Sequence, residues 1–157
     1  MRRLLETEEQ SDSLSREIVN ENHRYEYLKG SLQRLLNRSR TKPGMTRPVI
    51  RMLEEFRDEL ALRFALEIAS DTFKDALVDA PRLSNKADDL IHDQELLYTE
   101  ICEIAELLIR SKDEGSEFLP DPIFDRWKLL NKRLKQHDAA ERNLIYEAMF
   151  LDIGVGD

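Results

Sequence analysis

The stretch from Leu134 to Leu144 places His137 and Glu141 four residues apart, which on a helix is one turn and one face. An imidazole and a carboxylate so arranged can ligate one metal ion, or can hydrogen-bond to each other and to polar groups brought opposite them. Their setting is otherwise apolar. Trp127, Leu130, Leu134, His137, Glu141, Leu144, Ala148 and Leu151 follow alternating steps of three and four, the seam of a helix packed in a bundle.

Three other apolar seams are interrupted in the same way. Glu21 and Asn22 fall where the series Leu14, Ile18, Tyr25, Leu28, Leu32, Leu35 crosses its middle. Arg63 and Glu67 follow Val49, Leu53, Phe56 and Leu60, and Gln94 interrupts Ala87, Leu90, Leu97, Ile101, Ile104 and Leu108. The elements that must position these residues are four helices. The first runs from about Ser11 to Asn37 and ends at a basic, helix-breaking connector, Arg38 to Gly44. The second opens near Thr46, an N-cap with Pro48 in its first turn, and bends or frays at Ser70, with Phe73, Ala76, Leu77 and Val78 as an apolar extension. The third spans about Pro81 to Arg110. After the polar connector Ser111 to Pro120, Asp121 caps the fourth helix, with Pro122 at its first position, and Gly154 stands where a C-cap belongs, past Leu151.

The chain has 157 residues, 36% of them charged and 41% hydrophobic, with five Gly and five Pro. That balance suits long amphipathic helices in one domain and argues against a strand-rich fold full of turns. The expected architecture is all-α, an up-down-up-down antiparallel four-helix bundle over residues 11–151, with an N-terminal extension over 1–10 and a short tail over 152–157. In such a bundle helices of similar length stack mid-height against mid-height. Glu21, Asn22, Arg63, Glu67, Gln94, His137 and Glu141 therefore converge into one polar layer. Unpaired charge buried there costs several kcal/mol, so Arg63, Glu67 and Glu141 must neutralise one another, hold a metal, or reach water.

In order and spacing these patterns resemble hemerythrin-like domains, four-helix bundles whose mid-bundle histidines and carboxylates bind a di-iron centre. The helix with Leu134, His137 and Glu141 resembles the last helix of that family. Ile18, Glu21, Asn22 and Tyr25 are similar to its first-helix pattern Leu-x-x-Glu-His-x-x-apolar. Leu60, Arg63, Phe64 and Glu67 are similar to Leu-x-x-His-Phe-x-x-Glu on the second, and Leu90, Asp93, Gln94 and Leu97 to Leu-x-x-Glu-His-x-x-Leu on the third. The resemblance covers roughly residues 14 to 150. It departs where the family places histidine on the first three helices, because those positions are Asn22, Arg63 and Gln94. Asn and Gln are poor iron ligands, and a guanidinium cannot coordinate a cation and repels one. The expectation is a layer without cofactor, in which Arg63 occupies the metal space and pairs with Glu67 and Glu141. The rival is a single metal, iron among the choices, held by Glu67, His137 and Glu141, with Glu21 as a possible fourth ligand, in an oxygen or redox sensor or a storage protein.

A formal charge of -8 and pI near 5.0 argue against nucleic acid or an anionic membrane as partner, since both need a basic face. Arg34, Arg38, Arg40, Lys42 and Arg47 form a basic run without interleaved aromatics, better read as a solvated loop. His92 lies two residues from Gln94, on another face, and reads as a surface histidine. The single cysteine, Cys102, lies beside an apolar seam and precludes an internal disulfide. With no signal-like or membrane-spanning segment, the expected location is cytoplasmic. There is no phosphate-binding glycine loop, nucleophile elbow or zinc-protease helix, so the expected role is non-enzymatic, a structural or interaction module for an unidentified protein partner. Leftover apolar residues such as Phe73, Leu77, Val78 and Ile153 would also support a homodimer.

Overall fold

The computed structural model describes residues 22–69, 78 and 81–154. They form four helices: α1, described over 22–39; α2, Thr46–Ala69; α3, Pro81–Asp113; and α4, Asp121–Gly154. No strand occurs among the described residues. Cross-helix pairs fix the directions. Lys86 meets Glu147 while Arg126 meets Glu100, so α3 and α4 run antiparallel. Arg24 meets Glu59 while Asn22 meets Arg63, so α1 and α2 do as well. The α1–α2 and α3–α4 connectors share one end of the bundle, where the Gly44 amide donates to the Glu117 carbonyl at 2.9 Å.

Local chemistry sets the helix ends. At the α3 terminus Gly115 has φ +78°, and the amides of Ser116 and Gly115 donate to the carbonyls of Ser111 and Lys112 at 3.2 and 3.0 Å. This is a Schellman motif, which uses the left-handed conformation that glycine adopts without strain. α2 begins at Thr46 as expected, but not through a threonine cap. The Thr46 hydroxyl is buried without a hydrogen-bond partner, and the Met45 carbonyl accepts the first helical amide, Val49, at 3.1 Å. Connector residues Arg38, Arg40 and Lys42 are exposed, and Arg40 lies over the Phe124 ring, 4.3 Å from its centroid.

The core follows the seams. On α3 every seam residue from Ala87 to Leu108, Gln94 included, is buried. On α1 the buried stripe is Tyr25, Leu28, Leu32 and Leu36, with Leu35, also one helical step from Leu32, only half-buried. On α2 the stripe closes on Phe64 rather than Arg63, which lies on its edge. Tyr25, Phe56 and Trp127 bind three helices through ring contacts of 5.5 and 5.7 Å between centroids, and the Trp127 indole donates to Gln33 on α1 at 2.8 Å. The apolar interior falls into two clusters. The larger reaches up to Tyr25, Phe64, Leu97 and Leu134; the smaller contains Leu83, Ala87, Leu90 and Leu144. On α3 and α4, Gln94 and the pair His137 and Glu141 fall between the two clusters. The whole N-terminal extension over 1–10, Leu14, Ile18 and Glu21 of the expected first helix, and Ser70, Phe73, Ala76 and Leu77 lie outside the described residues, and Val78 is exposed.

Candidate functional site

Arg63 lies on the second-last turn of α2, at the edge of the buried stripe, so its long side chain runs across the bundle instead of out to water. Its guanidinium uses each nitrogen on a different partner. Nε donates to Glu67 Oε1 at 3.1 Å within α2, Nη1 to Asn22 Oδ1 at 2.7 Å on α1, and Nη2 to Asp138 Oδ1 at 3.2 Å on α4. The Tyr25 ring covers its face, 4.1 Å from ring centroid to Cζ. The side chains of Arg63 and Glu67 are each 14% exposed and that of Asp138 18%, which places this fork in a water-poor setting where charge-assisted bonds are strong.

The second half of the layer is carried by α3 and α4. Gln94 donates to Glu67 Oε2 at 3.0 Å, and its amide nitrogen lies 3.5 Å from His137 Nε2. The His137 side chain is fully buried. Asp93 approaches its Nδ1 at 3.1 Å, which fixes the ring, and Phe64 packs edge-on against it at 5.4 Å. His137 Nε2 then faces Glu141 Oε2 at 3.8 Å, beyond hydrogen-bond range, and that oxygen is buried without a partner.

Electrostatics separates the Arg63 fork from the pair Glu67 and Glu141. Arg63 is held firmly protonated: burial works against its charge, but Asp138 and then Glu67 outweigh it. Glu67 and Glu141 behave as one unit. Burial, and then the neighbouring charge of Glu141, push Glu67 up to about 9 despite Arg63. Burial raises Glu141 too, against the opposing pull of its hydrogen bond with Glu67 and of His137 and Arg63. The pair therefore retains a proton at neutral pH, since two adjacent carboxylates away from water cannot both ionise. Burial, followed by Asp138, also raises the Tyr25 phenol, whose hydroxyl is buried without a partner.

The structure brings Asn22, Arg63, Glu67, Gln94, His137 and Glu141 together around this layer, with Asn22 at its exposed edge; Glu21 lies outside the described residues. On α4 the direct partner of Arg63 is Asp138, not Glu141. The reason is reach: a guanidinium at the stripe's edge meets the residue flanking the α4 seam, while Glu141 feels its charge from farther away. Asp138, Asp93 and the Tyr25 ring take part without having been expected to. A signal existed for the first two in their place in the chain, since carboxylates adjoining His137 and Gln94 can reach donors that the layer holds. His92 is exposed, as expected, and so is His23. Cys102 is a partly buried free thiol.

The arrangement can also be viewed as a ligand set. One ligand atom each from Glu67, His137 and Glu141 lies within 4.8 Å of the others, and Asp93 behind His137 is the carboxylate that typically orients a metal-bound imidazole. Against this, both Glu67 oxygens already accept donors, from Arg63 and Gln94. A dication drawn to Glu67 would sit beside a guanidinium. Among the described residues no helix is long and apolar enough to cross a membrane. Comparison of the chain with models of protein families, with curated proteins and with solved structures finds no match.

Proposed function

We propose that the chain is a hemerythrin-like bundle whose metal layer has been replaced by an ion-pair network around Arg63, and that it serves as a non-enzymatic structural or interaction module. The observation that carries this reading is the Arg63 fork, with hydrogen bonds to α1, α2 and α4 at 2.7, 3.1 and 3.2 Å. A cation of fixed charge that ties three helices does the work of a metal without being exchangeable, and it disfavours a dication in the same space. Titrating metal-stripped protein with Fe(II) and with Zn(II), followed by calorimetry and thermal unfolding, tests it. Wild type should show no stoichiometric uptake, whereas Arg63→Met should bind more tightly because the repelling charge has gone. Tight one-to-one binding by wild type, abolished by His137→Ala, would overturn the proposal.

One observation favours a second reading. Glu141 Oε2 is buried and unpartnered beside His137 Nε2, as the ligands of a single metal would be. On that reading Glu67, His137 and Glu141 hold iron or another metal in an oxygen or redox sensor or a storage protein. Arg63 would then sit beside the metal, and the same titration separates the two readings.

A further inference from the structure

The charge of the chain is unevenly placed. From Tyr27 to Leu53 there are seven Lys and Arg residues and no Asp or Glu, so all 32 carboxylate side chains lie outside this stretch. As a run these cations read as a solvated loop, but the fold gathers four of them around one leucine. Arg34 and Arg38 on α1, and Arg47 and Arg51 on α2, each lie four residues apart, one helical turn. Half-buried Leu35 lines one hollow with Arg34 and Arg38, and a second, an apolar cleft of about 330 Å³, with Arg47, Pro48, Arg51 and Met52. Glu55 is the one acidic residue on that cleft. All four arginines are exposed, and among the described residues none forms an ion pair with a carboxylate. Arg34 reaches only Ser31 Oγ, at 3.0 Å, while Arg40, stacked on Phe124 of α4, stands apart from the group. Like charges one helical turn apart repel, and a bound anion relieves that repulsion.

We propose that this face of α1 and α2 docks a short acidic segment of a partner protein. One large apolar side chain of the segment would seat against Leu35, Pro48 and Met52, and carboxylates on either side of it would meet Arg34 and Arg38 on α1 and Arg47 and Arg51 on α2. Charge and shape select this occupant. A symmetric contact with a second copy would set four unpaired arginines against four more. An anionic bilayer takes up apolar side chains that protrude, whereas Leu35 and Met52 are half-buried. Nucleic acid offers phosphates but no apolar side chain for the cleft, and no aromatic ring lines either hollow for a base to stack on. The inference rests on the interaction-module reading and gives that module a surface and a partner chemistry.

The test is fluorescence anisotropy with the full chain and a labelled peptide of about twelve residues, carrying one Phe flanked on both sides by Glu and Asp. The metal content of each sample is measured alongside, so that loss of the non-metal reading is seen separately from loss of peptide binding. Saturable one-to-one binding is expected, weakened about tenfold or more by Arg38→Glu and by Arg51→Glu. It should be nearly unchanged in Arg82→Glu, the same change of charge at an exposed residue of α3. The same peptide with Ser for Phe should bind about tenfold more weakly or worse. Absence of saturable binding, equal weakening by Arg82→Glu, or indifference to loss of the Phe would overturn the proposal. So would tighter binding of an oligonucleotide or of phosphatidylserine vesicles than of the peptide, or self-association in sedimentation that Arg38→Glu abolishes, because the occupant would then be a phosphate backbone, a membrane or a second copy.

Discussion

Removing the Arg63 guanidinium while keeping the length of its side chain strands several groups at once. In Arg63→Met, Asp138 loses its cation, Asn22 its donor, and Glu67 one of the charges that favour its ionised form. Breaking a largely buried ion pair from one side costs about 3 kcal/mol or more, and chemical denaturation should show a loss of that size. Arg63→Lys should recover only part of it, since one ammonium cannot reach three diverging acceptors in a fixed plane. The Glu67 and Glu141 pair has its own signature in pH. A carboxyl raised above its ordinary value near 4.5, as Glu67 is to about 9, binds a proton in the folded state that the unfolded chain has released. Stability from this group is therefore greatest at the acid end of that window and falls as pH rises through it, by up to roughly tenfold in the folding equilibrium per pH unit. Urea unfolding at about pH 5.5 and pH 8.5 should show wild type losing more stability than Glu67→Gln, which holds no titrating proton. An equal loss in both proteins would show that the pair shares no proton.

The helices were legible in the sequence to the extent that their burial is periodic. The α3 seam was readable residue by residue because its apolar positions are regular and its flanks are charged. On α1 a run of adjacent leucines, Leu35 and Leu36, leaves the face undecided by pattern alone, and packing selects Leu36. The layer's flanking members were harder to read. Asp138 and Asp93 lie about 100° of helical rotation from His137 and Gln94, off the seam, and they matter because long side chains cross that angle. Helix termini depend on backbone geometry that residue types only hint at, as the unused Thr46 hydroxyl shows. Two glycines give opposite expectations at this scale. Gly115→Ala should lower stability by about 1 kcal/mol, because its φ is +78° while its added Cβ would meet nothing within 4 Å, so the cost is backbone strain alone. Gly30→Ala, inside α1, should raise it by up to about 1 kcal/mol, as the new Cβ touches only the flexible end of Arg34 at 3.4 Å. Thermal unfolding of the two variants, with midpoints moving in opposite directions, checks both.

At the scale of the molecule, a bundle with a large and a small apolar cluster is joined by a polar layer that contributes direction more than burial. Arg126, which meets Glu100 and Glu103 at 2.9 and 2.8 Å, is half-buried and ties α4 to α3 alone. The fork of Arg63 joins α1, α2 and α4, and on the function proposed above it takes the place of a metal between the same helices. The central claim is thus that the layer holds together around Arg63 and takes no inorganic ion. Metal analysis of the protein as purified under mild, chelator-free conditions, together with its ultraviolet-visible spectrum, tests this most directly. The account predicts far less than one equivalent of iron, zinc or manganese per chain and no oxo-iron charge-transfer band; stoichiometric metal, or such a band, would contradict it.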